Sequence, residues 1–87
     1  MSELELTIKR KQIDKIDKQI LDLIVDRFRV VREIGQIKKE LNLPSLDQKR
    51  FDEMLTERII YNKEIDPEFV KSLFELIHKE AIKLEDK

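Results

Sequence analysis

Residues 13–41 read IDKIDKQILDLIVDRFRVVREIGQIKKEL. Positions 13, 16, 20, 23, 27, 30, 34, 37 and 41 are Ile, Ile, Ile, Leu, Arg, Val, Ile, Ile and Leu. A 3-4 apolar spacing is the mark of one buried stripe on a long helix. One residue breaks the stripe: Arg27 stands where a core leucine belongs. A guanidinium taken out of water is costly unless an anion meets it. The anion is either one of the protein's own carboxylates or a bound ligand.

The helix is expected from about residue 5 to about residue 42, with one Gly (Gly35) and no Pro inside it. At ~1.5 Å per residue it is over ~50 Å long. Two shorter helices of the same chain cannot cover a rod of that length, so part of the seam faces another molecule. The stretch Asn42-Leu43-Pro44-Ser45 ends it, because Pro44 disfavours helical geometry at Leu43. Ser45 with Gln48 reads as a capping box, and a second helix follows over about 46–62. Phe51, Met54, Leu55, Ile59 and Ile60 would face inward there. Asp66-Pro67-Glu68 combines an N-cap, a proline at the first helical position and an acid in the first turn. The third helix carries Phe69, Val70, Leu73, Phe74, Ile77, Ala81 and Leu84 on its apolar side. The fold class is all-α, three helices forming one domain over residues 1–87.

The remaining composition narrows function by exclusion. The chain has 87 residues, 43% of them charged, with one Gly and two Pro. A core this small favours association with a second chain. Eighteen basic and 19 acidic side chains give a net charge of -1, so no overall field draws the molecule to nucleic acid or an anionic membrane. Without Cys and with a single His, a thiol nucleophile is excluded and a metal site is not expected. Neither a signal peptide nor a membrane span is evident, and a cytoplasmic location is expected.

The candidate site residues are cations near the stripe. Lys38 lies 11 residues beyond Arg27, close to three turns, on nearly the same face, with the Cα atoms ~16 Å apart along the axis. Two long cations leaning together would leave a gap for a small dianion. The ordinary fate of such a lysine is to cover apolar surface with its stem. Arg10 is ~25 Å from Arg27 on the same rod and cannot share a small ligand with it in cis. Antiparallel pairing of two such helices near residue 23 would bring Arg10 of one chain between Arg27 and Lys38 of the other. On the second helix Arg50 can look inward, or pair with Asp47 or Glu53. Glu85 extends the Phe74, Ile77, Ala81 line by one turn; its plain alternative is a frayed terminal acid. His78 reads as a surface or boundary residue. A set with no nucleophile, metal ligands or phosphate loop would bind a dicarboxylate and act by orientation and electrostatics.

The chain resembles the small all-helical chorismate mutases. The resemblance is carried by Arg10-Lys-Gln-Ile-Asp-Lys-Ile-Asp17, Ile24-Val-Asp-Arg27, Glu33-Ile-Gly35-Gln-Ile-Lys38, Asp47-Gln-Lys-Arg50, Met54-Leu55 and Leu73-Phe74-Glu-Leu-Ile77 leading to Glu85. It implies an intertwined homodimer whose two sites each draw on both chains, and rearrangement of chorismate to prephenate without a cofactor. By that resemblance Arg27 and the second chain's Arg10 bind substrate carboxylates, and Lys38 meets the breaking ether oxygen and a carboxylate. Arg50 and Asp47 complete the set, Asp47 acting largely through its backbone near the ring hydroxyl. Three positions depart from the family pattern. A glutamate that contacts the hydroxyl is replaced by Phe51, a glutamine that donates to the ether oxygen by Glu85, and a small polar residue one turn earlier by Ala81. Only a protonated Glu85 can donate a hydrogen bond. Phe51 also fits an isochorismate-pyruvate lyase of the same fold, as does the run Met54 to Arg58. A non-catalytic dimerisation module, with Arg27 paired to Asp26 or Glu33 of a partner, is the reading from a different class.

Overall fold

The computed structural model describes residues 2–86. It is all-α, with α1 over Glu3–Glu40, α2 over Gln48–Tyr61 and α3 over Pro67–Glu85. The chain divides into two units, Met1–Val30 and Val31–Lys87, described separately below. Among the described residues no helix is long and apolar enough to cross a membrane.

The first unit holds the earlier part of α1. The Ser2 hydroxyl accepts from the Glu5 amide at 3.1 Å, and Glu3 and Glu5 place negative charge in the first turn, where the helix dipole favours it. Ile13, Ile16, Ile20 and Leu23 are all exposed. The stripe that reads as a core seam in the sequence is uncovered in the single chain.

In the second unit α1 ends on a Schellman turn. The Leu43 amide donates to the Lys38 carbonyl at 2.8 Å and the Asn42 amide to the Lys39 carbonyl at 3.2 Å. Asn42 takes the left-handed conformation, φ 56°, which asparagine tolerates better than most residues. This turn closes the helix at Glu40 rather than near residue 42. The face of α1 that this unit buries is formed by Val31 and Gly35. Each follows a seam residue by one position, a rotation of ~100°. The seam residues Ile34, Ile37 and Leu41 stay exposed.

The start of α2 differs from the expected capping box. Its N-cap is Asp47, whose carboxylate accepts from the Arg50 amide at 3.0 Å, so the helix begins at Gln48, not near Leu46. Gln48 turns instead to Asp52 at 2.9 Å. Aspartate caps as well as serine, and Ser45 is used elsewhere. The connection to α3 is braced by an Asx turn, Asn62 Oδ1 accepting from the Glu64 amide at 2.9 Å. Asp66 caps α3 ahead of Pro67, as expected, accepting from the Glu68 amide at 3.3 Å.

The two shorter helices pack as an antiparallel hairpin. Phe51, near the start of α2, stacks on His78, past the middle of α3, with centroids 4.1 Å apart and rings 19° from parallel. Met54 and Val70 are buried beside the same interface and Ala81 further along α3. The buried residues of α3, Val70, Ala81 and Glu85, are about three turns and one turn apart and so share one face. Ile60, Phe69 and Leu73, expected inward, are exposed. A single hairpin covers only one side of each helix, and these side chains lie about one residue's rotation off it.

Candidate functional site

The site is built around Lys38, in the last turn of α1. The Schellman turn carries the chain back so that the Ser45 carbonyl accepts from Lys38 Nζ at 2.7 Å. Glu85 Oε1 lies 2.7 Å from the same ammonium. That contact has the length of an ion pair without the alignment of a directed hydrogen bond. The pair is largely withdrawn from water, at 21% side-chain exposure for Lys38 and 9% for Glu85. Glu85 is therefore not a frayed terminal acid, though it closes the last turn of α3.

Two features put it there. Gly35 lets the end of α3 approach α1. A Cβ on residue 35 would sit 2.8 Å from Glu85 Cα and 2.9 Å from its carbonyl oxygen. A mid-helix glycine costs about 1 kcal/mol of helix stability relative to alanine, and the close approach is what that position gains. Ser45 holds the same turn from the loop, its hydroxyl donating to Asp86 Oδ1. Asp86 in turn caps α3, its amide donating to the Ile82 carbonyl at 3.1 Å. Ala81 is buried one turn before Glu85.

The other sequence-derived candidates fall elsewhere. Asp47 and Arg50 are exposed at the start of α2. The Asp47 side chain is the helix cap, and its carbonyl accepts from the Phe51 amide at 3.1 Å. Arg50 makes no ion pair with Asp47 or Glu53; Glu53 is instead 4.0 Å from Lys49. Phe51 is 9% exposed and committed to the α2–α3 packing against His78. In the Met1–Val30 unit Arg10 is exposed and Arg27 half-buried. The Asp26 carboxylate is engaged by Arg29 at 3.2 Å.

Sequence reasoning missed the parts played by Gly35, Ser45 and Asp86 in the surroundings of Lys38. For Gly35 a signal existed: it is the chain's single glycine, and it sits inside a helix, a position that calls for a packing reason. Ser45 gave the opposite signal, because its pattern matched a helix cap. His78, given no role, is half of the stacked pair.

Chemically, the arrangement offers an ammonium fixed by a carbonyl and a carboxylate. An ammonium has three donors; one goes to the Ser45 carbonyl and the Glu85 carboxylate lies beside the group, so an incoming oxygen can still be met. Among the described residues no group of three or more His, Cys, Asp or Glu side chains is gathered as a metal site requires.

Comparison with known proteins identifies the family. The profile of the family described as chorismate mutase type II matches residues 9–86. A protein of Aquifex aeolicus (strain VF5), named bifunctional chorismate mutase/prephenate dehydratase, is 39% identical over 61 residues, 70% of this chain and 17% of that protein. The chorismate mutase of Methanocaldococcus jannaschii is 37% identical over 54 residues, 62% of this chain and 48% of that protein. The chain thus spans less than half the length of either relative. A solved structure of chorismate mutase (form II) from Thermus thermophilus aligns with a TM-score of 0.91 at 36% identity, covering 95% of this chain and 96% of that one. The chain belongs to the chorismate mutase type II family.

Proposed function

We propose that the protein converts chorismate to prephenate and does so as a homodimer. The observation that carries this reading is the sequestered Lys38 ammonium, held by Ser45 and Glu85 in a chain of this family. The reaction is a Claisen rearrangement: one C–O ether bond breaks, one C–C bond forms, and no atom enters or leaves. Such chemistry asks for no nucleophile. It asks that the substrate be held in its folded, diaxial form and that charge growing on the ether oxygen be met. Lys38 supplies the donor to that oxygen. Arg27 and the second chain's Arg10 grip the carboxylates, with Arg50 beside them and Asp47 near the ring hydroxyl.

The second chain enters through the seam. In the Met1–Val30 unit Ile13, Ile16, Ile20 and Leu23 form an exposed apolar row on α1, the kind of surface that marks an interaction site. A second copy of α1 laid antiparallel covers it and delivers Arg10.

Glu85 gives this reading a pH signature. An ionised carboxylate beside the ether oxygen repels the developing charge; a protonated one donates to it. Activity is therefore expected to fall between acid and neutral pH, and Glu85→Gln is expected to hold its activity through the same range. A flat wild-type pH-rate profile from acid to neutral excludes Glu85 as the donor.

Incubation with chorismate and isochorismate separately, with product identification, tests the function. Prephenate from chorismate is the expected product. Salicylate plus pyruvate from isochorismate alone assigns the chain to the lyase instead.

A further inference from the structure

We infer that Gly35 and Ser45 are positioning residues that clamp the last turn of α3 from two sides, so that the Glu85 carboxylate meets Lys38. The inference rests on the proposed mutase reading for its kinetic part only.

The clamp has two unlike jaws. On the α1 side it is steric. The missing side chain of Gly35 is the space into which the Glu85 backbone fits, and a Cβ there would lie 2.8 Å from Glu85 Cα, 2.9 Å from its oxygen and 3.2 Å from its Cβ. Two of these neighbours are backbone, so the turn itself has to move if the space is filled. On the loop side the jaw is polar. Ser45 uses its carbonyl on Lys38 Nζ and its hydroxyl on Asp86 Oδ1. One residue thereby references the ammonium and the end of α3 to the same point. A terminal turn is where a helix ordinarily frays. Glu85 is nonetheless only 8% exposed, which the two jaws together explain. Neither Gly35 nor Ser45 touches a reacting atom in this scheme; both act through Lys38 and Glu85.

The test uses the full chain and two readouts. The first needs no activity. In protein labelled with ¹³C at glutamate, the Glu85 carboxyl signal is assigned with Glu85→Gln and then followed on Lys38→Met. With Gly35 in place the Lys38 substitution shifts that signal; in Gly35→Ala the shift is lost. Ser45→Ala inserts no atoms and releases Asp86, and it weakens the same response, which covers the case of a poorly folded Gly35→Ala. An undiminished response in both variants overturns the clamp. The second readout is a kinetic cycle. Gly35→Ala lowers kcat about tenfold in the wild-type background, in line with the cost of sub-ångström to ångström misplacement, and under about twofold where Glu85→Ala has already removed the carboxylate. Equal losses in both backgrounds overturn a role through Glu85. A wild-type protein inactive on chorismate defeats the mutase reading while leaving the carboxyl signal to decide the clamp.

Discussion

Lys38→Met is expected to lower kcat for chorismate by about 10²–10³-fold, the loss typical of removing one donor aimed at a developing oxyanion. Methionine keeps most of the stem's length and apolar character, so the change isolates the ammonium. Two other contacts go with it, the bond to the Ser45 carbonyl and the pair with Glu85. Glu85 is then left as a carboxylate withdrawn from water, and breaking a buried pair from one side is destabilising. Because Lys38 itself is partly exposed, the cost should be at the lower end, about 3 kcal/mol in urea unfolding. The double variant Lys38→Met with Glu85→Gln separates the two effects. Removing the orphaned charge recovers most of the stability while the activity stays lost. If activity returns together with stability, Lys38 holds the fold and not the substrate.

The second large effect is one of complementation. Arg10→Ala and Arg27→Ala are each expected to abolish nearly all activity, since each leaves a substrate carboxylate without its guanidinium partner. Mixed after unfolding and refolded together, the two inactive proteins should recover roughly a quarter of wild-type activity. The reasoning is symmetry alone. In a two-fold dimer where each site takes Arg27 from one chain and Arg10 from the other, a mixed dimer contains one intact site and one doubly impaired site. Half of a random mixture is mixed dimer, and half of its sites work. No recovery would mean that both arginines serve a site within one chain, which their separation along one rod argues against, or that neither serves a site. The same experiment bears on the dimerisation-module reading, in which neither arginine variant has an activity to lose.

The helices, their breaks and the α3 cap were legible because they depend on local rules. Pro44, the Asp66-Pro67-Glu68 start and the 3-4 apolar spacing each act within a turn or two of themselves. The face that the chain buries on its own was not legible. Val30 and Val31 are equally apolar, and only packing within the chain selects Val31 and Gly35 over the seam. The α2 cap was misplaced for a related reason. Ser45 and Asp47 are both good caps, and the choice was made by Lys38 and Asp86, which draw Ser45 away. Lys38 and Glu85 could be named from a family pattern, yet their meeting depends on a glycine 50 residues before Glu85 in the chain. A pattern of side chains along a sequence does not encode how close two backbones come.

In the proposed homodimer the uncovered seam on α1 makes stability a matter of mass action. If the apolar row is covered only when a second chain arrives, folding and association are one equilibrium, and the folded fraction depends on how much protein is present. Dilution should then lower the melting temperature, and specific activity should decline below a threshold enzyme concentration even with saturating substrate. A melting temperature that stays constant across a hundredfold dilution would instead describe a chain able to stand alone with its isoleucines in water. In the proposed homodimer the solvent that completes the core is another copy of the same helix, and its concentration becomes a variable of the fold.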